Sequence, residues 1–317
     1  MELIIQNGSD IYIPIVEDTI TWKTERKGVP GQLDFSVLDD GNIKIEEGNA
    51  VSFKVEGHNV FYGFIFTLKR DKDNIISVTA YDQLRYFKNK DTYVYRNKTA
   101  GEFIRMVAED FELQCGDIED TGYKIPSRIE ENTTLFDMIQ NTLDITIENK
   151  KEMYVLYDDF GKLTLKNISS MAIELLIDEE TGENFSYSSS IDSETYNKVK
   201  LTYDNEELGK REVYVSQDGN NMNKWGILQY FGTLKEGENG KAKADGLFSL
   251  YNQKTKTISI TSAFGDVRVR GGSMIMVRIN LGDVQLNNWM IVEKCKHDFS
   301  NGEHFMDLNL RGGEFIA

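Results

Sequence analysis

Trp225-Gly226-Ile227-Leu228-Gln229-Tyr230 opens the stretch that decides the fold, residues 224–311, and His304-Phe305-Met306-Asp307-Leu308-Asn309-Leu310-Arg311 closes it. Between them Ala244, Leu247, Phe248 and Tyr251 fall at i, i+3, i+4 and i+7, which predicts one helix, opened by Gly237-Glu238-Asn239-Gly240. Thr255 to Ser262, Ser273 to Asn280, Trp289 to Phe299 and His304 to Leu310 read as strands. The last alternates, with His304, Met306, Leu308 and Leu310 on one face and Phe305, Asp307, Asn309 and Arg311 on the other. A slip of one residue would exchange those faces, so the Asn301-Gly302 turn is expected to fix the register. Nothing in the stretch is arranged for chemistry. It predicts a closed or nearly closed β-structure carrying one helix.

Upstream, Asn197 to Tyr203 and Arg211 to Ser216 are short alternating runs, and the strand pattern begins again at Ile173. Residues 1–92 read as six or seven short strands with turn signals about every ten residues, as in a barrel or sandwich. Gln32-Leu33-Asp34-Phe35-Ser36-Val37 shows the alternation most clearly, and His58 falls in a turn, Glu56-Gly57-His58-Asn59. The period then changes. Thr99-Ala100-Gly101-Glu102 is a capping-box pattern before Phe103, Met106, Val107 and Phe111, and Thr134 starts a second helix. Glu152 to Tyr157 and Lys162 to Leu165 form a hairpin around Asp158-Asp159-Phe160-Gly161. The division is an N-terminal β-barrel at 1–92, an inserted α+β module at 93–172 and a C-terminal β-barrel with one attached helix at 173–317. The fold class is α+β, mainly β, with two tube-like antiparallel β-barrel domains flanking the module.

Thirty-six Lys and Arg against 52 Asp and Glu leave a net charge of −16, which disfavours nucleic-acid binding through phosphate neutralisation. The two cysteines, Cys115 and Cys295, belong to separate predicted domains and form neither a disulfide framework nor a zinc motif. No basic leader and no run of about 18 apolar residues is present, so neither a signal peptide nor membrane insertion is expected.

Catalysis lacks parts. His58, His297 and His304 have no sequence neighbour suited to a metal or a triad, although His297 and His304 are able to meet across the Asn301-Gly302 hairpin. The acidic runs Glu46-Glu47, Asp117 to Asp120, Glu130-Glu131, Asp158-Asp159 and Asp178-Glu179-Glu180 adjoin turns or strand ends and read as solvated loops. Arg268-Val269-Arg270 reads as a strand face, and Gly271-Gly272 as a turn. No catalytic, cofactor-binding or metal-binding residue is assigned, and no cofactor. The apolar faces carry more information. In Ser273 to Asn280, Ile275, Val277 and Ile279 point one way and Met274, Met276 and Arg278 the other, and Phe61 to Phe66 is two-sided in the same manner. Met274, Met276 and Arg278 are therefore a candidate subunit interface, the alternative being burial within the chain.

The order of β region, α+β module, Trp225 to Tyr230, Ala- and Leu-rich helix, a strand opened by Gly271-Gly272-Ser273 and the Val292 to Leu310 hairpin resembles the baseplate hub proteins of contractile phage tails. The likeness is to the XkdQ/YqbQ type of Gram-positive phages, prophages and phage-tail-like bacteriocins, related to the late control protein D type and to the base of secretion-system spikes. The resemblance implies a homotrimeric, non-enzymatic ring whose paired barrels adapt a sixfold tail tube to a threefold central spike. Implied partners are the tail tube protein, a separate spike protein, other baseplate proteins and the tape-measure protein, with no sequence-specific nucleic acid. The spike is expected to be separate because Ala317 follows closely on the last predicted strand. The implied location is the baseplate of a virion or tailocin particle, after synthesis in the bacterial cytoplasm. A reading from another class is a cell-wall (peptidoglycan or carbohydrate) binding module, since the strand–helix–helix–strand order from Tyr93 to Tyr157 loosely resembles a LysM-like fold. A third is a hydrolase-associated tail protein, for which the sequence offers no Cys-His pair.

Overall fold

The N-terminal alternations fold as seven strands: β1 (Glu2–Asn7), β2 (Asp10–Tyr12), β3 (Val16–Glu25), β4 (Gln32–Leu38), β5 (Ala50–Val55), β6 (His58–Arg70) and β7 (Ile75–Tyr81). The computed structural model describes residues 1–192, 194–205, 209–234, 238–280 and 285–312. Leu33, Phe35 and Val37 of β4 are buried while Gln32, Asp34 and Ser36 are not, as the period of two requires. The antiparallel order is β3-β4-β7-β6-β5-β1-β2. Its two end strands are consecutive in sequence, separated by residues 13–15, and the Leu38 N–H donates to the Ile15 carbonyl at 3.1 Å. The sheet therefore curls around Ile5, Trp22, Leu33, Phe53, Ile65 and Val78. Burying one such side chain is worth about 1.5–3 kcal/mol. His58 begins β6 rather than lying in the turn, and it is exposed.

A 3-10 turn at Gln83–Lys88 leads to β8 (Lys90–Lys98), α1 (Ala100–Asp110), β9 (Cys115–Ile118), β10 (Ile125–Thr134), α2 (Leu135–Lys150), β11 (Tyr154–Asp158) and β12 (Leu163–Asn167). The capping box forms: Thr99 Oγ1 accepts from the Glu102 N–H at 3.2 Å, and Glu102 Oε2 accepts from the Thr99 N–H at 2.8 Å. Thr134 caps α2 likewise. Both helices bury Phe103, Ile104, Val107, Met138 and Ile139 against Leu163 and Leu165. Strands β9 and β10 stand between the helices, which departs from a strand–helix–helix–strand unit.

The remainder contains β13 (Ala172–Ile177), β14 (Asn184–Ser190), β15 (Lys198–Asn205), β16 (Lys210–Gln217), α3 (Gly219–Trp225), β17 (Gln229–Thr233), α4 (Gly240–Tyr251), β18 (Thr255–Phe264), β19 (Met274–Asn280), β20 (Gln285–Ser300) and β21 (Glu303–Gly312). Strands β14-β18-β21-β20-β19-β13 make a second curled sheet whose end strands, β13 and β14, are again consecutive in sequence. It encloses Ile177, Ile258, Ile260, Val277, Val292 and Leu308. Asn301 and Gly302 both take positive φ, 52° and 82°, in the two-residue turn that sets Ser300 opposite Glu303, so the β21 faces are as expected.

Three expectations are corrected. The two β regions are not separate closed barrels. Gln285 to Ile291 of β20 pair with β19, whereas Lys294 to Phe299 pair with β3, so one open sheet of 13 strands runs through both regions. Second, β15, β16 and β17 leave this sheet and form their own, and α4 packs on them and on α2 rather than on the wall of a C-terminal barrel. Helix α4 opens at Gly240 with Asn239 as its cap, and Gly237 lies outside the described residues. Third, Arg268-Val269-Arg270 is in the β18–β19 loop, not on a strand.

Gly271 and Gly272 are needed by the junction. A Cβ on Gly271 would stand 2.3 Å from the Glu25 carbonyl carbon at the end of β3, and one on Gly272 (φ 95°) would stand 2.6 Å from Val155 of β11. Gly271→Ala should therefore push β3 away from the loop and lower stability by about 2–4 kcal/mol, whereas Gly219→Ala, with nothing within 4 Å, should change it by less than about 0.5 kcal/mol. Urea midpoints at constant m-value provide the check.

Candidate functional site: a polar junction and uncovered sheet faces

Residues that looked available for chemistry are mostly engaged in holding the chain together. His297 Nε2 lies 2.8 Å from the Val269 carbonyl, which only accepts, so this nitrogen carries the hydrogen. Its Nδ1 then accepts from His304 Nε2–H at 2.8 Å. Both nitrogens of His297 are occupied, its ring stacks on Trp22 at 4.9 Å, and no lone pair remains for a metal. The hairpin pairing inferred from the sequence does bring the two histidines together, as a structural pair. Cys295 is buried beside them, and Cys115 is exposed in β9. Among the described residues no group of three or more His, Cys, Asp or Glu is placed to hold a metal ion.

Two acidic side chains depart from the solvated-loop expectation. Glu130 is buried on β10 against Arg128 at 2.8 Å. Asp158, at the end of β11, is buried because Gln83 Nε2 donates to it at 2.9 Å and the Gly161 N–H at 2.6 Å. Nearby Asp82 is fully buried and accepts from the Gly31 and Leu84 N–H groups at 2.8 and 3.0 Å. Burial, and then the negative charge of Asp158, push the Asp82 carboxyl well above the usual range. Arg270 completes the cluster: it donates to the Asp158 carbonyl at 2.7 Å, and its guanidinium lies 4.1 Å from the centre of the Tyr157 ring. The cluster joins the N-terminal sheet (Gly31), the middle module (Asp158, Tyr157) and the β18–β19 loop (Arg270). Sequence reasoning missed it, because its members are scattered from Gly31 to Arg270, and even the bonded pair Asp158 and Arg270 is 112 residues apart.

The candidate interface residues occupy one face of β19 but differ in environment. Met274 is buried under the middle module, against Val155, Ile168 and Ile291. Met276 is half-buried, with Leu176 of β13 and Trp289 of β20 as its register partners, so a row Leu176-Met276-Trp289 crosses the sheet. Arg278 is exposed and paired with Asp178 at 3.0 Å. Large apolar side chains are also uncovered at Ile11, Ile13 and Ile15, at Val94 and Ile129, and at Val213, Val215 and Phe231. The β16 residues Val213-Tyr214-Val215 are apolar on both faces, the same signal that singled out β19.

The model of the YqbQ-like family matches residues 20–311. The chain belongs to the YqbQ-like family. It is 28% identical over 311 residues to the phage-like element PBSX protein XkdQ of Bacillus subtilis, covering 94% of this chain and 93% of that one. The 43 kDa tail protein of prophage MuSo2 from Shewanella oneidensis shares its fold, with a TM-score of 0.70 over 98% of both chains at 13% identity. The Escherichia coli c3393 protein, described as a type VI secretion component similar to the T4 tail proteins gp27 and gp5, superposes with a TM-score of 0.60 at 11% identity, over all of this chain and 78% of that one. The YqbQ-like chain thus has the fold of phage tail proteins. No helix among its described residues is long and apolar enough to cross a membrane.

The histidine pair gives a pH dependence. Burial, then the neighbouring His304, lower the His297 pKa to about 3, so it stays neutral in the fold and would take a proton near 6.5 once unfolded. Its contribution is present above about pH 6.5 and is lost as the pH falls toward about 3, at about 1.4 kcal/mol per pH unit. The stability difference between wild type and His297→Gln should therefore widen with that slope from pH 4.5 to 6.5. Parallel curves from chemical denaturation would contradict the assignment.

Proposed function

We propose that this protein is a structural component of a phage-type tail, a baseplate hub assembling as a homotrimeric ring between the tail tube and a separate central spike. The observation that carries the reading is the pair of curled sheets joined through β20. Each has end strands consecutive in sequence, β2 with β3 and β13 with β14, so each chain supplies two similar β units held in fixed relation. Three chains present six such units while keeping threefold symmetry, which suits an adaptor between a sixfold tube and a threefold spike. Tail proteins among the chains of the same fold support the role. The other baseplate proteins and the tape-measure protein are further contacts under this reading, and the tail baseplate of a virion or tailocin is the place of action. The chain's units are proposed as N-terminal β unit 1–92, module 93–172 and C-terminal unit 173–317, with the β15–α4 segment as an insertion in the last.

Met276 and Arg278 belong to a subunit contact in this reading, continuous with Leu176 and Trp289, while Met274 anchors the same strand from within. Light scattering on a size-exclusion column should give three times the 36.3 kDa chain mass. Met276→Asp should leave a folded monomer, because a carboxylate in a covered apolar contact costs several kcal/mol without a partner. Loss of the far-UV spectrum or of cooperative unfolding in this variant would make Met276 core and remove it from the interface.

A further inference from the structure

Two uncovered apolar surfaces of opposite charge lie on different parts of the chain. On the face of the β16-β15-β17 sheet away from α4, the register sets Lys200 between Val215 and Phe231, with Val213 one step along. Val213 is 50% and Phe231 59% exposed. Lys198 and Lys200 form no ion pair among the described residues. A cation at the centre of an apolar face, rather than at its rim, gains nothing from water once that face is covered. It then needs a carboxylate from whatever covers it.

The second surface is at β2, an end strand of the large sheet. Ile11, Ile13 and Ile15 follow one another at a period of two, and all are more than 60% exposed. Asp10, Glu17 and Asp18 flank them and form no ion pair among the described residues, and no Lys or Arg precedes Lys23. Exposure alternates from β2 into the residues 13–15 that follow it, with Tyr12 half-buried and Pro14 buried between the isoleucines, so Ile11, Ile13 and Ile15 make a narrow apolar ridge with carboxylates at both ends. The ridge matches the lysine-centred face in charge and in apolar character. Both surfaces are exposed, so they do not cover each other within one chain.

We infer that they meet between copies: the Val213, Val215 and Phe231 face of one chain docks on the Ile11, Ile13 and Ile15 ridge of a second, with Lys198 and Lys200 opposite its carboxylates. The contact uses two different patches, so it is head-to-tail and closes into a ring when its rotation permits. This rests on the ring reading and assigns surfaces to it.

Charge reversal tests the contact on the full chain. Lys200→Glu alone, and Asp10→Lys with Glu17→Lys, should each raise the concentration at which half the chains are assembled by about tenfold or more, since each places like charges together. Combining all three should return it to within about threefold of wild type. Circular dichroism should be unchanged in every variant, because all three positions lie on the surface. A wild-type ring that ignores both reversals overturns the contact and leaves the ring standing. Reversals that weaken assembly without mutual rescue also overturn it, since the two faces would then have other occupants. A wild type that stays monomeric overturns the contact and the ring together.

Discussion

The backbone of β20 is satisfied only if both β regions are present. A strand of 16 residues offers N–H and C=O groups along two edges, and buried groups of this kind must be paired. From Ile291 to Ser300 one edge is taken by β21. The other is divided, Gln285 to Ile291 bonding β19 and Lys294 to Phe299 bonding β3 from the far end of the chain. At the changeover the Arg26 N–H donates to the Glu293 carbonyl at 2.9 Å, and the Gly272 N–H donates to the Val292 carbonyl at 2.8 Å. Removing the N-terminal unit would unpair half of this edge and uncover His297 and Phe299, which face Trp22 and Ile20 of β3. The two curled sheets are thus hydrogen-bonded into one through a single strand.

The polar junction determines orientation more than it adds stability. A half-buried cation near two buried carboxyls repays its desolvation only when its geometry is right, and apolar replacements of such clusters are commonly as stable. What the junction adds is a directional demand. Asp82 reaches Gly31 in the N-terminal unit, Asp158 closes the hairpin of the middle module, and Arg270 reaches from the β18–β19 loop onto Tyr157. The bonds that cross between units are Gln83 on the Asp158 carboxyl and Arg270 on the Asp158 carbonyl, so the middle module cannot rotate against the sheets without leaving a buried polar group unpaired. Arg26 adds a second tie of the same sort, its Nε 2.9 Å from Glu293 and its Nη1 3.8 Å from the Met153 sulfur.

Features determined within a few residues were readable from the sequence. The caps at Thr99 and Thr134, the Asn301-Gly302 turn and the alternation of β4 and β21 each depend on side chains no more than a few positions apart, and each formed as expected. Sheet membership was not readable, because alternation states which face of a strand is buried and not which strand lies beside it. That is why β15 to β17 were placed with the C-terminal sheet, and why Lys294 to Phe299 gave no sign of pairing with β3 about 270 residues earlier. Asp158 looked like a loop residue for the same reason: its burial depends on Gln83, 75 positions away. The face at Val213 and Val215 was accessible to the criterion applied to β19, since both strands are apolar on two sides.

Sheet edges discriminate between surfaces meant for water and surfaces meant for contact. An open edge invites pairing with other chains, and soluble proteins blunt it with charge, proline or polar side chains. The β14 edge follows that rule, exposing Asn184, Ser186, Ser188 and Ser189. Strand β2 does not. Pro14, just after it, is buried, and what β2 and the following residues 13–15 turn outward at Ile11, Ile13 and Ile15 is apolar. A chain that blunts one end strand and leaves the other apolar is not protecting a monomer uniformly. The difference is understandable if the β2 end is covered in the working state, and then its carboxylates at Asp10, Glu17 and Asp18 keep the uncovered chain soluble before assembly while selecting a basic surface to cover it.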